Sequence, residues 1–140
     1  PTDERCGLRG GGCFQEFTGG AIYFSPATGA QVVLGAIRTA WARQKWETGS
    51  LGYPTSGERC GLRGGGCFQE FQGGAIYWSP ASGAHAVSGG LRDAWARQGW
   101  ERGRLGYPVS AATLSGGAFR QTFQGGSIAI SSRGTSITYR

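Results

Sequence analysis

Between Cys13 and Ser25 the chain reads CFQEFTGGAIYFS, two short runs of alternating character on either side of a Gly-Gly pair. That pattern predicts two antiparallel strands joined by a two-residue hairpin turn at Gly19-Gly20. A period of two puts Ile22 and Phe24 on one face, expected to be the core face, and Tyr23 on the other. Pro26 stops the return strand, and Ala27 to Gly29 make a turn. A short extended piece then leads into GAIRTAWARQKW, Gly35 to Trp46. Val33, Ile37 and Trp41 fall at i, i+4 and i+8, which gives one apolar helical stripe. The predicted unit is therefore strand, strand, helix, with glycine-rich joints.

The same pattern returns. Cys6–Pro54 and Cys60–Pro108 are in register at an offset of 54 residues and identical at 37 of 49 positions. Val87, Leu91 and Trp95 repeat the helical stripe. A third copy keeps FRQTFQGGSIAIS, Phe119 to Ser131, with Ile128 and Ile130 on the apolar face and Ala129 in the place of the tyrosine. The reading is three units: residues 1–53, residues 54–107, and a partial third of residues 108–140 expected to be a hairpin alone. One such unit cannot bury both a hairpin face and a helix stripe, so neighbours must cover them. The expected fold is α+β: tandem repeats of about 54 residues, each a β-hairpin followed by a short helix, in a propeller-like or ring-like arrangement or a stacked array. Pro1 aligns with Pro54 and Pro108, so the chain is expected to be a segment of something longer.

Composition fits small units. The chain has 28 glycines, which thin any core, offset by five Trp, five Tyr and seven Phe. Its formal charge of +6 attracts anionic partners of any kind. The arginines are scattered, with no basic run that reads as a nucleic-acid arm, so nucleic acid is the disfavoured partner. No stretch approaches the roughly 20 apolar residues of a membrane span.

Four cysteines recur as CGLRGGGC, and the third copy has lost both members together. The favoured pairing is within each unit, Cys6 with Cys13 and Cys60 with Cys67. Bonds between units, free thiols or a metal site are the other readings, although C-x6-C without a nearby His suits zinc poorly. Paired cysteines in small glycine-rich units imply an oxidising place outside the cytoplasm.

The candidate chemistry is binding rather than catalysis. GLRGGGC lacks the Lys-Ser/Thr of a phosphate loop, and no helix follows it. His85, the one histidine, is matched by Gln31, so it is not an obligate acid or base. Glu16 and Glu70 are matched by Thr122. No nucleophile, base and orienting group come together, and no cofactor or metal is expected. Gln15, Gln69 and Gln121 recur between apolar neighbours, where an amide satisfies backbone groups at a bend or meets a ligand hydroxyl. Phe17, Phe71, Phe123, Trp41 and Trp95 sit at core spacing. Tyr23, Tyr77, Trp46 and Trp100 are the candidates for an exposed stacking surface, with His85, Arg38 and Arg92 as polar neighbours. Flat rings beside amides and arginines suit sugars: the ring covers the apolar C–H face and the polar groups reach hydroxyls.

The joined motifs GGAIYWSPASGAHAV…G…LRDAW and W…G…LGYP resemble the LGFP repeat of actinobacterial secreted and cell-wall proteins, with Leu51-Gly52-Tyr53-Pro54 and Leu105-Gly106-Tyr107-Pro108 carrying Tyr for the usual Phe. The resemblance implies a noncatalytic module, often beside a mycolyltransferase or wall amidase, that anchors proteins to wall polysaccharide such as arabinogalactan. It carries over no site residue. The expected function is attachment to a cell-wall or surface glycan outside the cell. The rival expectation is a structural subunit of a surface assembly, packing onto a protein partner or itself through its repeat ends.

Overall fold

A computed structural model describes residues 3–140; Pro1 and Thr2 lie outside the described residues, and with them the expectation attached to Pro1. Among the described residues the fold is α+β, with three four-stranded antiparallel sheets and two α-helices. The first sheet is a meander of β1 (Arg5–Leu8), β2 (Gly12–Phe17), β3 (Gly20–Ser25) and β4 (Gly29–Leu34), followed by α1 (Gly35–Arg43). The second repeats it as β5 (Arg59–Leu62), β6 (Gly66–Phe71), β7 (Gly74–Ser79) and β8 (Gly83–Val87), followed by α2 (Gly89–Arg97). The third is β9 (Thr113–Ser115), β10 (Ala118–Phe123), β11 (Gly126–Ser131) and β12 (Gly134–Tyr139). The expected hairpin forms at β2–β3 and its copies, but its two turn residues in the first unit are Thr18 and Gly19, because Gly20 pairs with Phe17 as the first residue of β3. Each unit also adds a strand on either side. The first cysteine loop supplies β1, and the "extended piece" is β4, so the closing segment is a full sheet rather than a hairpin. Among the described residues no sheet closes or curls on itself, and a propeller-like or ring-like arrangement of the units is not shown.

Both disulfides form within units, Cys6–Cys13 and Cys60–Cys67, and each joins directly opposed residues of neighbouring strands. Two disulfides point to an oxidising, extracellular setting. Among the described residues no helix is long and apolar enough to cross a membrane.

The core lies between repeats. Antiparallel register sets Phe14 opposite Tyr23 and Tyr23 opposite Gln31, so these share the sheet face that seats the unit's own helix. Gln15, Ile22 and Val32 are aligned on the reverse face. Trp41 of α1 bridges the two sheets, edge-on to Tyr23 at 4.6 Å and tilted against Phe71 of the next unit at 5.5 Å. Trp95 does the same between Tyr77 at 4.7 Å and Phe123 at 5.5 Å. The second sheet is therefore covered on both faces, by α2 on one side and α1 on the other. Tyr23 and Tyr77, expected on an exposed face, are each only 5% exposed because their own helix lies over them. On the first sheet it is the expected core face, with Phe24, that stands open.

The Leu-Gly-Tyr-Pro turns clamp successive units. Leu51 and Tyr53 are buried, and the Trp41 indole N–H donates to the Gly52 carbonyl at 3.0 Å. Gly73 N–H donates to Leu51 O and Gln72 N–H to Tyr53 O, tying the turn to the next hairpin. The Tyr53 hydroxyl donates back to the Arg9 carbonyl of its own cysteine loop, and Tyr107 repeats this on Arg63. A Cβ at Gly12 or Gly66 would overlap that hydroxyl, so only glycine fits beneath the tyrosine. The recurrent glutamines add a second stitch. Gln69, fully buried, donates its amide N–H groups to Val32 O of the first sheet and to Ser56 O; Gln121 does so to Ala86 O and Ser110 O.

Candidate functional site

Two strands and the segment after the helix build the same aromatic shelf in each full repeat. Phe14 on β2 and Tyr23 on β3 stack with centroids 5.2 Å apart and planes 12° from parallel. Trp46 continues the stack beyond Tyr23, at 6.4 Å and 17°. The second repeat reproduces it with Phe68, Tyr77 and Trp100, at 5.0 Å and 12° and then 6.4 Å and 18°. Tyr23 and Tyr77 are the buried middle members; the outer rings reach solvent, Trp100 with 36% exposure.

The tryptophan reaches that place through an unusual backbone. Each helix ends at Gln44 or Gln98, and the chain turns through left-handed positions at Lys45 or Gly99. Trp46 and Trp100 themselves hold φ of 57° and 58°. Bulky residues rarely adopt that region, at a cost of about 1–3 kcal/mol each.

A charged pair frames the shelf. The Arg38 guanidinium sits 5.6 Å from the Trp46 ring centroid and donates to Glu16 at 2.7 Å. Arg92 lies 5.5 Å from the Trp100 centroid and meets both Glu70 carboxylate oxygens at 2.6 and 2.8 Å. In the first repeat these groups enclose a recess of about 320 Å³ with Leu8 and Glu47. Burial, reinforced by Glu47, pushes the Tyr23 hydroxyl up to about 12; burial does the same for Tyr77, against the opposing pull of Arg92. Both phenols therefore stay protonated at physiological pH and cannot serve as bases.

Tyr23, Trp46 and Arg38 thus come together, as do Tyr77, Trp100 and Arg92. His85 does not join them: its Nε2 lies 2.8 Å from the Ser82 carbonyl oxygen, bracing the turn before β8. Gln31 occupies the same register and donates to Thr28 O at 3.2 Å. The third sheet has Arg120 and Ala129 where Phe14 and Tyr23 stand, so it carries no shelf.

A polar cleft on the other side of Glu47 went unseen in the sequence. It holds about 360 Å³ among Arg9, Ser25, Glu47, Tyr53 and Gln72, and its copy about 420 Å³ among Arg63, Ser79, Glu101, Tyr107 and Gln124. The signal was available, because the first four of these residues recur at the 54-residue offset. They lie in the β1–β2 loop, at the end of β3 and in the segment between α1 and β5, and nothing local links these places.

A unit of four strands and a helix, built twice and sharing its core with its neighbour, defines a tandem-repeat module. Residues 1–49 and 51–103 each match the LGFP repeat, and the chain belongs to the LGFP repeat family, a noncatalytic repeat family. No curated protein matches the chain.

Proposed function

We propose that the chain is a noncatalytic extracellular binding module that attaches to cell-wall or surface polysaccharide of the arabinogalactan type. The observation that carries this reading is the strained tryptophan at the shelf. Trp46 and Trp100 hold the same left-handed backbone in both repeats, although the residue before them differs, Lys45 or Gly99. Backbone strain of this kind persists where surrounding structure over-determines it, and it clusters at sites of function. Here it presents a flat ring beside an arginine–carboxylate pair. The ring suits the apolar face of a sugar, and the pair can meet hydroxyls without demanding net charge. Two shelves on one chain let weak single contacts add along a polymer.

The test is retention on immobilised arabinogalactan, for the parent chain and for the Trp46→Ala/Trp100→Ala variant, with folding checked by circular dichroism. The proposal expects retention that survives moderate salt and disappears in the folded variant. A chain that is not retained on arabinogalactan or on other wall glycans would contradict it. Retention on nucleic acid that collapses steeply with salt would favour the basic-surface alternative instead.

A structural role, packing through the repeat ends, is favoured by a different observation. The first sheet leaves Phe17, Val32 and Leu34 between 41% and 45% exposed. The two readings use opposite faces of that sheet and are compatible.

A further inference from the structure

Three positions recur on the reverse face of every sheet: Gln15, Gln69 and Gln121; Ile22, Ile76 and Ile128; Phe17, Phe71 and Phe123. In the second and third sheets this face receives the preceding helix, and Phe71 and Phe123 are 4% and 0% exposed. In the first sheet Phe17 is 41% exposed, and with Ile22, Val32 and Leu34 it lines an apolar recess of about 300 Å³ around the Thr18-Gly19 turn. We propose that this face is a docking seat for one specific partner: the helix and Leu-Gly-aromatic-Pro turn of a further LGFP-type unit.

The chemistry of the occupant follows from what fills the other two seats. Each filled seat takes a helix bearing Ile37 or Leu91 with Trp41 or Trp95 four residues on, then a leucine, Leu51 or Leu105, that is at most 1% exposed. Leu51 Cδ2 lies so near Gly74 that a Cβ there would stand 3.1 Å away, and Gly20 holds the matching position in the open seat. Val32 and Leu34 make the open seat more apolar than its copy, where Ala86 and Ser88 stand.

Other occupants fit less well. A second copy of this chain has no helix to offer, because α1 already lies between the first and second sheets and α2 between the second and third. A glycan would find few polar groups in a recess walled by Phe17, Ile22, Val32 and Leu34. The third sheet offers no second seat of the helix-covered kind. Its own-helix face carries Arg120, Thr122, Ser127, Ala129, Ser136 and Thr138, a polar surface of the sort that caps repeat arrays. The apolar seat that stands open is therefore the one on the first sheet.

The experiment extends the full chain by joining a copy of residues 35–53, the helix and Leu-Gly-Tyr, directly to Pro1. Docking should raise Tm by at least about 2–4 °C, since burying one further core layer is worth more than about 1 kcal/mol at about 2–4 °C per kcal/mol. It should also abolish binding of a hydrophobic dye that the parent takes up. Val32→Glu, in an exposed position, should leave the parent's Tm unchanged but remove the whole gain from the extended chain. An extended chain with the parent's Tm and dye uptake would overturn the proposal. So would parent chains that dimerise on sizing chromatography and become monomeric with Phe17→Glu, because the occupant would then be a second copy.

Discussion

Phe17 and Phe71 occupy the same place in the same strand of the same repeat, yet one is 41% exposed and the other 4%. Nothing in either residue or its strand accounts for the difference. Trp41 lies against Phe71 at 5.5 Å, whereas Phe17 lines an open recess. Burial in this molecule is a property of the neighbouring unit, and a repeat read alone does not reveal which of its faces will be covered.

The comparison can be broken most forcefully at the rings. Phe71→Ala removes a side chain packed between units and should cost about 3–5 kcal/mol in a denaturant titration. Phe17→Ala should cost less than about 1 kcal/mol, as exposed substitutions do. Equal costs would mean that the two faces are covered alike. Next come the disulfides. Replacing Cys60 and Cys67 by serine should destabilise by about 2–3 kcal/mol on chain-entropy grounds, and the Cys6/Cys13 pair by a similar amount. Any excess should fall on the second pair, where Cys67 is 6% exposed and packs in the shared core.

A smaller effect is expected at the stitch between units. Gln69→Leu leaves the Val32 and Ser56 carbonyls without their amide donor and should cost about 1–3 kcal/mol. The most even-handed test uses pH. Folding raises the Tyr23 and Tyr77 hydroxyls from 10.0 to about 12, so the folded state holds those protons more tightly. That stabilisation is complete below pH 10 and is lost as pH rises toward 12. Because both tyrosines lie under their own helices, Tyr23→Phe and Tyr77→Phe should each remove a comparable share of the alkaline loss in a Tm-versus-pH series.

Much of this was legible in the sequence because it is local. The β2–β3 hairpins, the Ile37/Trp41 and Leu91/Trp95 pairs on the helices and the favoured cysteine pairing follow from spacings of a few residues. Val33 and Val87, expected on the helical stripe, instead lie in strands β4 and β8, and the hairpin turn falls one residue earlier than the Gly-Gly pair. The repeat period itself predicted that each unit must lean on another. What stayed hidden was relational. Alternation sets Tyr23 on the face opposite Ile22 and Phe24 without saying what covers either face, and α1 covers the one that holds Tyr23. The flanking strands β1 and β4 lack a clean alternation: a register shift between Cys6 and Leu8 disturbs the first, and Ala30-Gln31-Val32-Val33-Leu34 is nearly continuous in the second. Trp46 stood out as a residue, but its left-handed backbone is invisible in a string of letters. The polar cleft draws on residues far apart in the chain, Arg9, Ser25, Glu47 and Tyr53, and had no local signature.

The claim at the centre of the account is that each helix completes the sheet of the next unit through its tryptophan. A double-mutant cycle on Trp41→Ala and Phe71→Ala measures that contact directly by equilibrium denaturation, with Trp41→Ala and Phe17→Ala as the control. The account predicts a coupling of about 0.5–1.5 kcal/mol between Trp41 and Phe71. For Trp41 and Phe17 it predicts additivity within about 0.3–0.5 kcal/mol. Additivity in the first cycle, or equal coupling in both, would contradict it.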